Sequence, residues 1–346
     1  MTRYFLLRLS ALIPTLLGAL VLCFLLLQFL PGGPVESQIA SWHRADSPLY
    51  SPLVNEEAKT RLKKYYGFHL PWYERFWDWT KKWSRFDLGV SYTDSRPVFQ
   101  LIIEALPVSL SLGLGSLFIT YCLGIPLGIW KGRYANSPTD RITSLLLLAA
   151  YAAPPFAIAT LCIAVSPTTG LVSENFASLS FWQRVTDIMK HVAPPVLCYS
   201  LSHLALITFL MKHSLEEQLS EEYIVVARAK GLSVSQTLKR HAVRNALLPV
   251  ATGIRDWFTY FFSGSLLIEN IFDLHGIGRL SYFAIIQRDY PILLGIIWCL
   301  CLTHLLGNLW GDIILFKLDP RLQFEAPVVK TMFHQKLPRI SQGENR

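Results

Sequence analysis

The sequence predicts an all-α integral membrane protein with about six transmembrane helices, and three observations carry that reading. Charged residues make up only 16% of the 346, against 52% hydrophobic, where ordinary soluble domains carry roughly a quarter charged. The deficit is concentrated in uncharged runs of roughly 20 residues or more, long enough as helix to cross a hydrocarbon core of ~30 Å. Basic residues flank these runs instead of forming one stripe. The net charge of +8 and pI near 9.2 therefore fit Lys/Arg enrichment of cytoplasmic loops, and no nucleic-acid partner is expected. A soluble fold would have to solvate the apolar runs, whereas a bilayer removes that need.

The first run, Leu9–Leu30, follows Arg3 and Arg8. A signal peptide also opens with basic residues, but its apolar part is typically ~7–15 residues and ends in a small-residue cleavage site. Here the run is longer and ends in Pro31-Gly32-Gly33-Pro34, a turn signal, so it reads as a retained helix. The other spans are Pro107–Trp130, stopped by Lys131 and Arg133; Ile142–Val165, after Asp140 and Arg141; Val192–Met211, ended by Lys212; Pro249 to Phe272; and Ile292–Phe316, ended by Lys317. Lys131, Arg133, Arg141 and the Lys212–Arg244 segment mark one side as cytoplasmic, which places both termini inside. The 31–105 loop carries many Lys/Arg yet falls outside; loops longer than ~60 residues are largely exempt from the charge rule.

Within that long outer loop, Asn55 is placed to cap a helix through Ala58–Tyr66 that stops at Gly67, with Glu56 and Glu57 in its first turn. Trp72, Phe76, Trp79 and Trp83 then share one helical face. Such a stripe suits either a helix at the headgroup level or packing against other outer loops.

The catalytic motifs of an energy-using enzyme are missing. No Gly-Lys dipeptide occurs, so no Walker A loop can form; HExxH and GxSxG are also absent. The six cysteines, Cys23, Cys122, Cys162, Cys198, Cys299 and Cys301, lie in apolar runs without metal-ligand spacing and read as small buried residues. No catalytic residue, metal or cofactor is expected, and any ATP chemistry belongs to another chain.

The 214–248 loop is long, basic and folded. Ser220 is placed to cap a short helix with Glu221 and Glu222 in its first turn. Tyr223, Val226 and Ala227 lie on one side, Arg228 and Lys230 near the end, and Gly231 stops it. A second helix starts at Ser233, with Gln236 completing a capping box, and ends before Pro249. Small residues on a short helix held by a glycine suit a docking element.

The run Glu222-Tyr223-Ile224-Val225-Val226-Ala227-Arg228-Ala229-Lys230-Gly231-Leu232 resembles the coupling-loop signature of binding-protein-dependent ABC permeases, together with Arg240-His241-Ala242 and Arg244-Asn245-Ala246-Leu247-Leu248-Pro249. The version is that of the dipeptide/oligopeptide/nickel branch. Similar motifs cover nearly the whole chain: Ile13-Pro14-Thr15-Leu16 at the start, Asp87-Leu88-Gly89-Val90-Ser91-Tyr92 and Arg96-Pro97-Val98 in the outer loop, and Ile125-Pro126-Leu127-Gly128 in the second span. Glu269-Asn270-Ile271-Phe272, Gly276-Ile277-Gly278, Arg288-Asp289-Tyr290-Pro291 and Leu318-Asp319-Pro320-Arg321 continue the match. The Ser265–Asn270 run and Gly170–Phe176 are most similar to Yej-type permeases. Two departures are the stretch between Ala159 and Gly170, shorter by roughly a dozen residues, and the Arg255-Asp256 pair, which sits where apolar or small residues are expected.

The resemblance implies the type I ABC importer permease fold in a bacterial inner membrane. Its parts would be a first helix over 1–30, a periplasmic loop over 31–105, a core over 106–316 and a cytoplasmic tail over 317–346. It implies that Glu222, Tyr223, Ala227, Arg228, Ala229, Lys230 and Gly231 couple to the ATPase, and that Glu269 and Asn270 belong to a gate-forming re-entrant segment. The implied partners are a second homologous permease as heterodimer, two cytoplasmic ATPase domains and a periplasmic peptide-binding protein. The implied cargo is oligopeptides, including peptide antibiotics such as microcin C. His304, Asn308 and Asp312 recur every four residues on the sixth span; they either line the pathway or partner seam, or pack within the bundle with Asp312 near the inner interface. Arg255 and Asp256 lie within two turns of a span end, where snorkelling competes with function. A stand-alone secondary transporter or channel would show inverted repeats or broken helices at matching positions, and neither is read here.

Overall fold

The computed structural model describes residues 2–29, 33–36, 39, 52–253 and 264–318. Helix is nearly all that forms among them; one isolated antiparallel bridge joins Val90 to Pro97 in the outer loop.

Helix α1 (Thr2–Phe29) lies against the last helix, here α13 (Tyr290–Leu318). Outside the spans, α2 (Pro52–Tyr65) and α3 (Trp72–Trp83) form a helical pair. α2 starts three residues before the anticipated cap, so Asn55 sits inside the helix. Proline suits a first helical position because its missing N–H has no partner there anyway. The anticipated stop is found: Gly67 has φ +75° and the Phe68 N–H closes onto the Lys63 carbonyl at 2.7 Å.

The aromatic stripe of α3 faces the protein and rests on α1. Phe24 is buried, with Phe76 and Trp79 edge-on to it at 5.3 and 5.4 Å. Trp83 is buried in the same core, which Leu88, Val98, Leu101 and Trp298 continue. Trp72, at the start of α3, remains exposed.

The two longest helices are α4 (Val98–Arg133) and α7 (Phe181–Ser220). At 1.5 Å per residue they extend roughly 54 and 60 Å, well beyond the Pro107–Trp130 and Val192–Met211 spans. α4 passes through Pro107 and Pro126, and α7 through Pro194 and Pro195. A capping box at Ser180 and Gln183 starts α7. Their contact is built on glycines four apart. Gly124, Gly128 and Gly132 on α4 meet Ile207, Met211 and Leu215 on α7. A Cβ on Gly128 would lie 2.6 Å from Met211 Cβ and 2.8 Å from the Thr208 carbonyl oxygen. Close backbone approach of this kind is what small residues provide where lipid offers no hydrophobic drive.

The Ile142–Val165 span is not one helix, and this corrects the sequence reading. α5 (Pro138–Ala152) and α6 (Pro155–Val165) meet at 92°. Ala153 precedes a proline and is extended (φ −72°, ψ 126°), because the pyrrolidine ring excludes the helical region for the preceding residue. Pro154 is extended too, and Pro155 opens α6.

Among the described residues, three helices are long and apolar enough to cross a membrane (α4, α7 and Tyr290–Ile314 of α13), with the bent α5–α6 pair a possible fourth and a shorter apolar segment at Ile13–Phe29. Part of the expected fifth span, residues 254–263 with Arg255 and Asp256, lies outside the described residues. On either side stand α10 (Val243–Thr252) and the short α11 (Leu266–Ile271), after Gly264 with φ +55°. α12 (Ile277–Gln287) follows before α13.

Candidate functional site

The 214–248 loop folds as two short helices between α7 and α10. Ser220 does not cap the first. It closes α7, its hydroxyl donating to the Glu217 carbonyl at 2.7 Å, and Glu221 takes the cap position with extended backbone. α8 (Glu222–Ala229) then buries Ile224 in a core with Met211, Leu215, Leu238, Ala242 and Ala246, and Ala227 is buried as well. Ala227 thus lies on the side of α8 turned toward the chain. The outward side carries Val225 and Val226, 66% and 51% exposed, with exposed Arg228, Ala229, Lys230 and Glu222. Gly231 has φ +85° with open space around it, and its N–H closes onto the Arg228 carbonyl at 2.9 Å. Non-glycine residues enter that region at a cost of about 1–2 kcal/mol.

The Ser233–Gln236 capping box has both its bonds, at 3.3 and 3.1 Å. It starts α9 (Val234–Thr237). One π-helical turn, Leu238–Ala242, leads into α10, which runs through Pro249 to Thr252 instead of ending before the proline. Tyr223 joins the pieces. Its hydroxyl donates to Gln218 Oε1 at 2.7 Å and accepts from Asn245 Nδ2 at 3.1 Å.

Glu269 is fully buried at the heart of the α11–α12 hairpin. Oε1 accepts from Ser109 Oγ at 2.8 Å and from the Ser265 N–H at 3.2 Å; Oε2 accepts from the Arg279 N–H at 3.0 Å. Ser109 Oγ in turn accepts from the Ile277 N–H at 2.8 Å. The carboxylate and hydroxyl thus satisfy the free N–H groups of the first turn of α12, where negative charge is favoured. Asn270, its neighbour, is half-buried and donates or accepts none of these bonds.

On α13 the polar face spans a gradient of burial. His304 is exposed, Asn308 Nδ2 lies 3.1 Å from His304 Nε2, and Asp312 is fully buried within the chain.

The family described as "Binding-protein-dependent transport system inner membrane component" matches residues 124–324. The chain belongs to this family. It is 38% identical to the peptidoglycan transport system permease protein YejB of Agrobacterium fabrum, over 94% of this chain and 99% of that protein. It is 36% identical to the inner membrane ABC transporter permease protein YejB of Escherichia coli O157:H7, over 94% and 100%. The dipeptide transport system permease protein DppB of Lactococcus lactis is 28% identical over 93% and 100%. The Yej-type resemblance of the sequence motifs is thereby borne out, and so is placement in an inner membrane.

In this inner membrane transport component, two polar clusters escaped sequence reasoning. At the end of α4, Lys131 is fully buried, its Nζ 2.8 Å from Asp140 Oδ1 and bonded to Thr143 Oγ1, Ser144 Oγ and the Asp140 carbonyl. Lys212 of α7 takes the other oxygen, Oδ2, at 2.8 Å. Burial alone would raise the Asp140 carboxyl, but the two ammonium groups and the Asn136 N–H outweigh it and hold it well below the usual carboxylate range. Lys131, Asp140 and Lys212, read only as charge markers of span ends, thus form one ion triad that ties α4, α5 and α7 together. At the outer side, Asp289 Oδ2 accepts from Ser91 Oγ at 2.6 Å and the Thr93 N–H at 3.0 Å, and Oδ1 from the Ile292 N–H at 3.3 Å. The outer-loop motif and the Arg288–Pro291 motif, nearly 200 residues apart, are therefore one structural unit.

Proposed function

We propose that this chain is the membrane-spanning permease subunit of an ATP-driven ABC importer, with peptides as its cargo. It works beside a second homologous permease, two cytoplasmic ATPase domains and a periplasmic peptide-binding protein. Both termini and the 214–248 loop lie in the cytoplasm. The observation that carries the docking role is α8: its back is seated in the chain's own core while Val225, Val226 and Ala229 face out. Apolar residues presented outward on a short helix whose back is seated in a core match the way helices enter grooves of partner proteins. The peptide cargo rests on likeness to relatives that carry peptide or peptidoglycan transport in their names.

Val226→Asp puts an unpaired charge on the docking face without touching the core beneath. Burying such a group against a partner is unfavourable by several kcal/mol, so co-purified ATPase should fall at least ~10-fold at unchanged membrane insertion. Undiminished ATPase recovery would refute the docking role. For orientation, a reporter fused after Arg321 should read as cytoplasmic and one inserted near Asp46 as external; the opposite readout would reverse the topology.

A further inference from the structure

We infer that Tyr223 is a positioning residue that locks the docking helix to both flanking helices through its hydroxyl, and that this lock carries motion between the ATPase and the membrane. The inference rests on the docking role proposed above. α8 enters the core through Ile224 and the Tyr223 ring, apolar contacts that hold it down but permit sliding. The polar tie is at Tyr223. The ring is half-buried against the same core, while the hydroxyl donates to Gln218 in the last turn of α7 and accepts from Asn245 in the first turn of α10. One oxygen thus joins three helices at the point where α7 ends and the chain turns back toward the membrane. Hydrogen bonds are directional, so this junction fixes the angle of α8 relative to α7 and α10, which the apolar contacts alone leave free. The π-helical turn just before α10 adds to the reading, since such turns occur frequently at functional sites. A helix pushed by the ATPase would move α7 and α10 together only while the hydroxyl bridge is intact.

The test uses the complete transporter in lipid nanodiscs, with its ATPase subunits and binding protein, and reads two quantities. These are the ATPase recovered with the permease and the stimulation of ATP hydrolysis by the binding protein. Gln218→Leu removes the acceptor at a position off the docking face; ATPase recovery should stay at wild type while stimulation falls at least ~5-fold, the lower range of coupling between distant sites. Tyr223→Phe, which keeps the ring, should lose stimulation to the same extent, and combining the two should lose no more. Gln218→Glu still accepts from the hydroxyl and should retain stimulation. Full stimulation in Tyr223→Phe would overturn the inference, and so would loss of ATPase recovery in Gln218→Leu, since that would make the site a contact. Failure of Val226→Asp to reduce recovery would instead strike the docking role itself, so the two failures are distinguishable.

Discussion

Replacing Asp140 with alanine should destabilise the protein by about 3–5 kcal/mol, the range seen when one partner of a buried ion pair is removed. The variant strands the Lys131 ammonium, which has no exposed surface, and deprives Lys212 of its shorter contact. Thermal unfolding in detergent should show the loss directly. The companion variant, Lys131→Met with Asp140→Leu, removes the charge and its counterion together and should recover most of the stability, because a packed apolar pair is often as stable as the ion pair it replaces. Lys212 is partly exposed and can turn its ammonium to water. The pH dependence has a definite sign. The folded-state pKa of Asp140 is depressed from 3.8, so its contribution is fully present above that unfolded value and is lost as pH falls toward the folded one. A wild-type melting temperature unchanged between pH 6 and pH 3, with Asp140→Ala equal to it, would refute the assignment.

Glu269→Leu should cost about 3 kcal/mol, since it leaves the buried Ser109 hydroxyl and the partly buried Ser265 and Arg279 N–H groups without an acceptor and each buried unsatisfied group costs about 1–3 kcal/mol. The effect should appear as a lowered melting temperature of the purified protein with no peptide present. If Glu269 touched cargo and nothing else, stability would be unchanged and only uptake would fall. Gly278 sharpens the comparison, because a Cβ there would lie 2.5 Å from the Ser265 carbonyl carbon. Any movement in this region therefore has to carry α11 and the start of α12 as one body held by the carboxylate.

What the sequence determined by itself was one-dimensional information: where the apolar runs lie, which residues start and stop helices, and which local motif repeats a known family's pattern. The Gly67 and Gly231 stops and the Ser233–Gln236 capping box were legible because their partners lie within a few residues. Asn55 and Ser220 were plausible caps by the same rule, but the helix began earlier at Pro52 in one case and α7 ran on through Ser220 in the other. Composition saw the apolar run from Ile142 to Val165 and passed over Pro154 and Pro155, because average hydropathy does not register a missing N–H. Tertiary structure alone decided which face of each helix is used. Ala227 points into the chain and Val226 away from it. Lys131 and Lys212 converge on Asp140, Glu269 on Ser109, and Asp289 on Ser91. Those pairings span 9 to 198 residues, and the longer ones exist because α5 packs on α7 while α12 and α13 pack on α4. A buried charge needs a counter-charge or several donors nearby, yet nothing in the linear sequence says which distant residue will supply them.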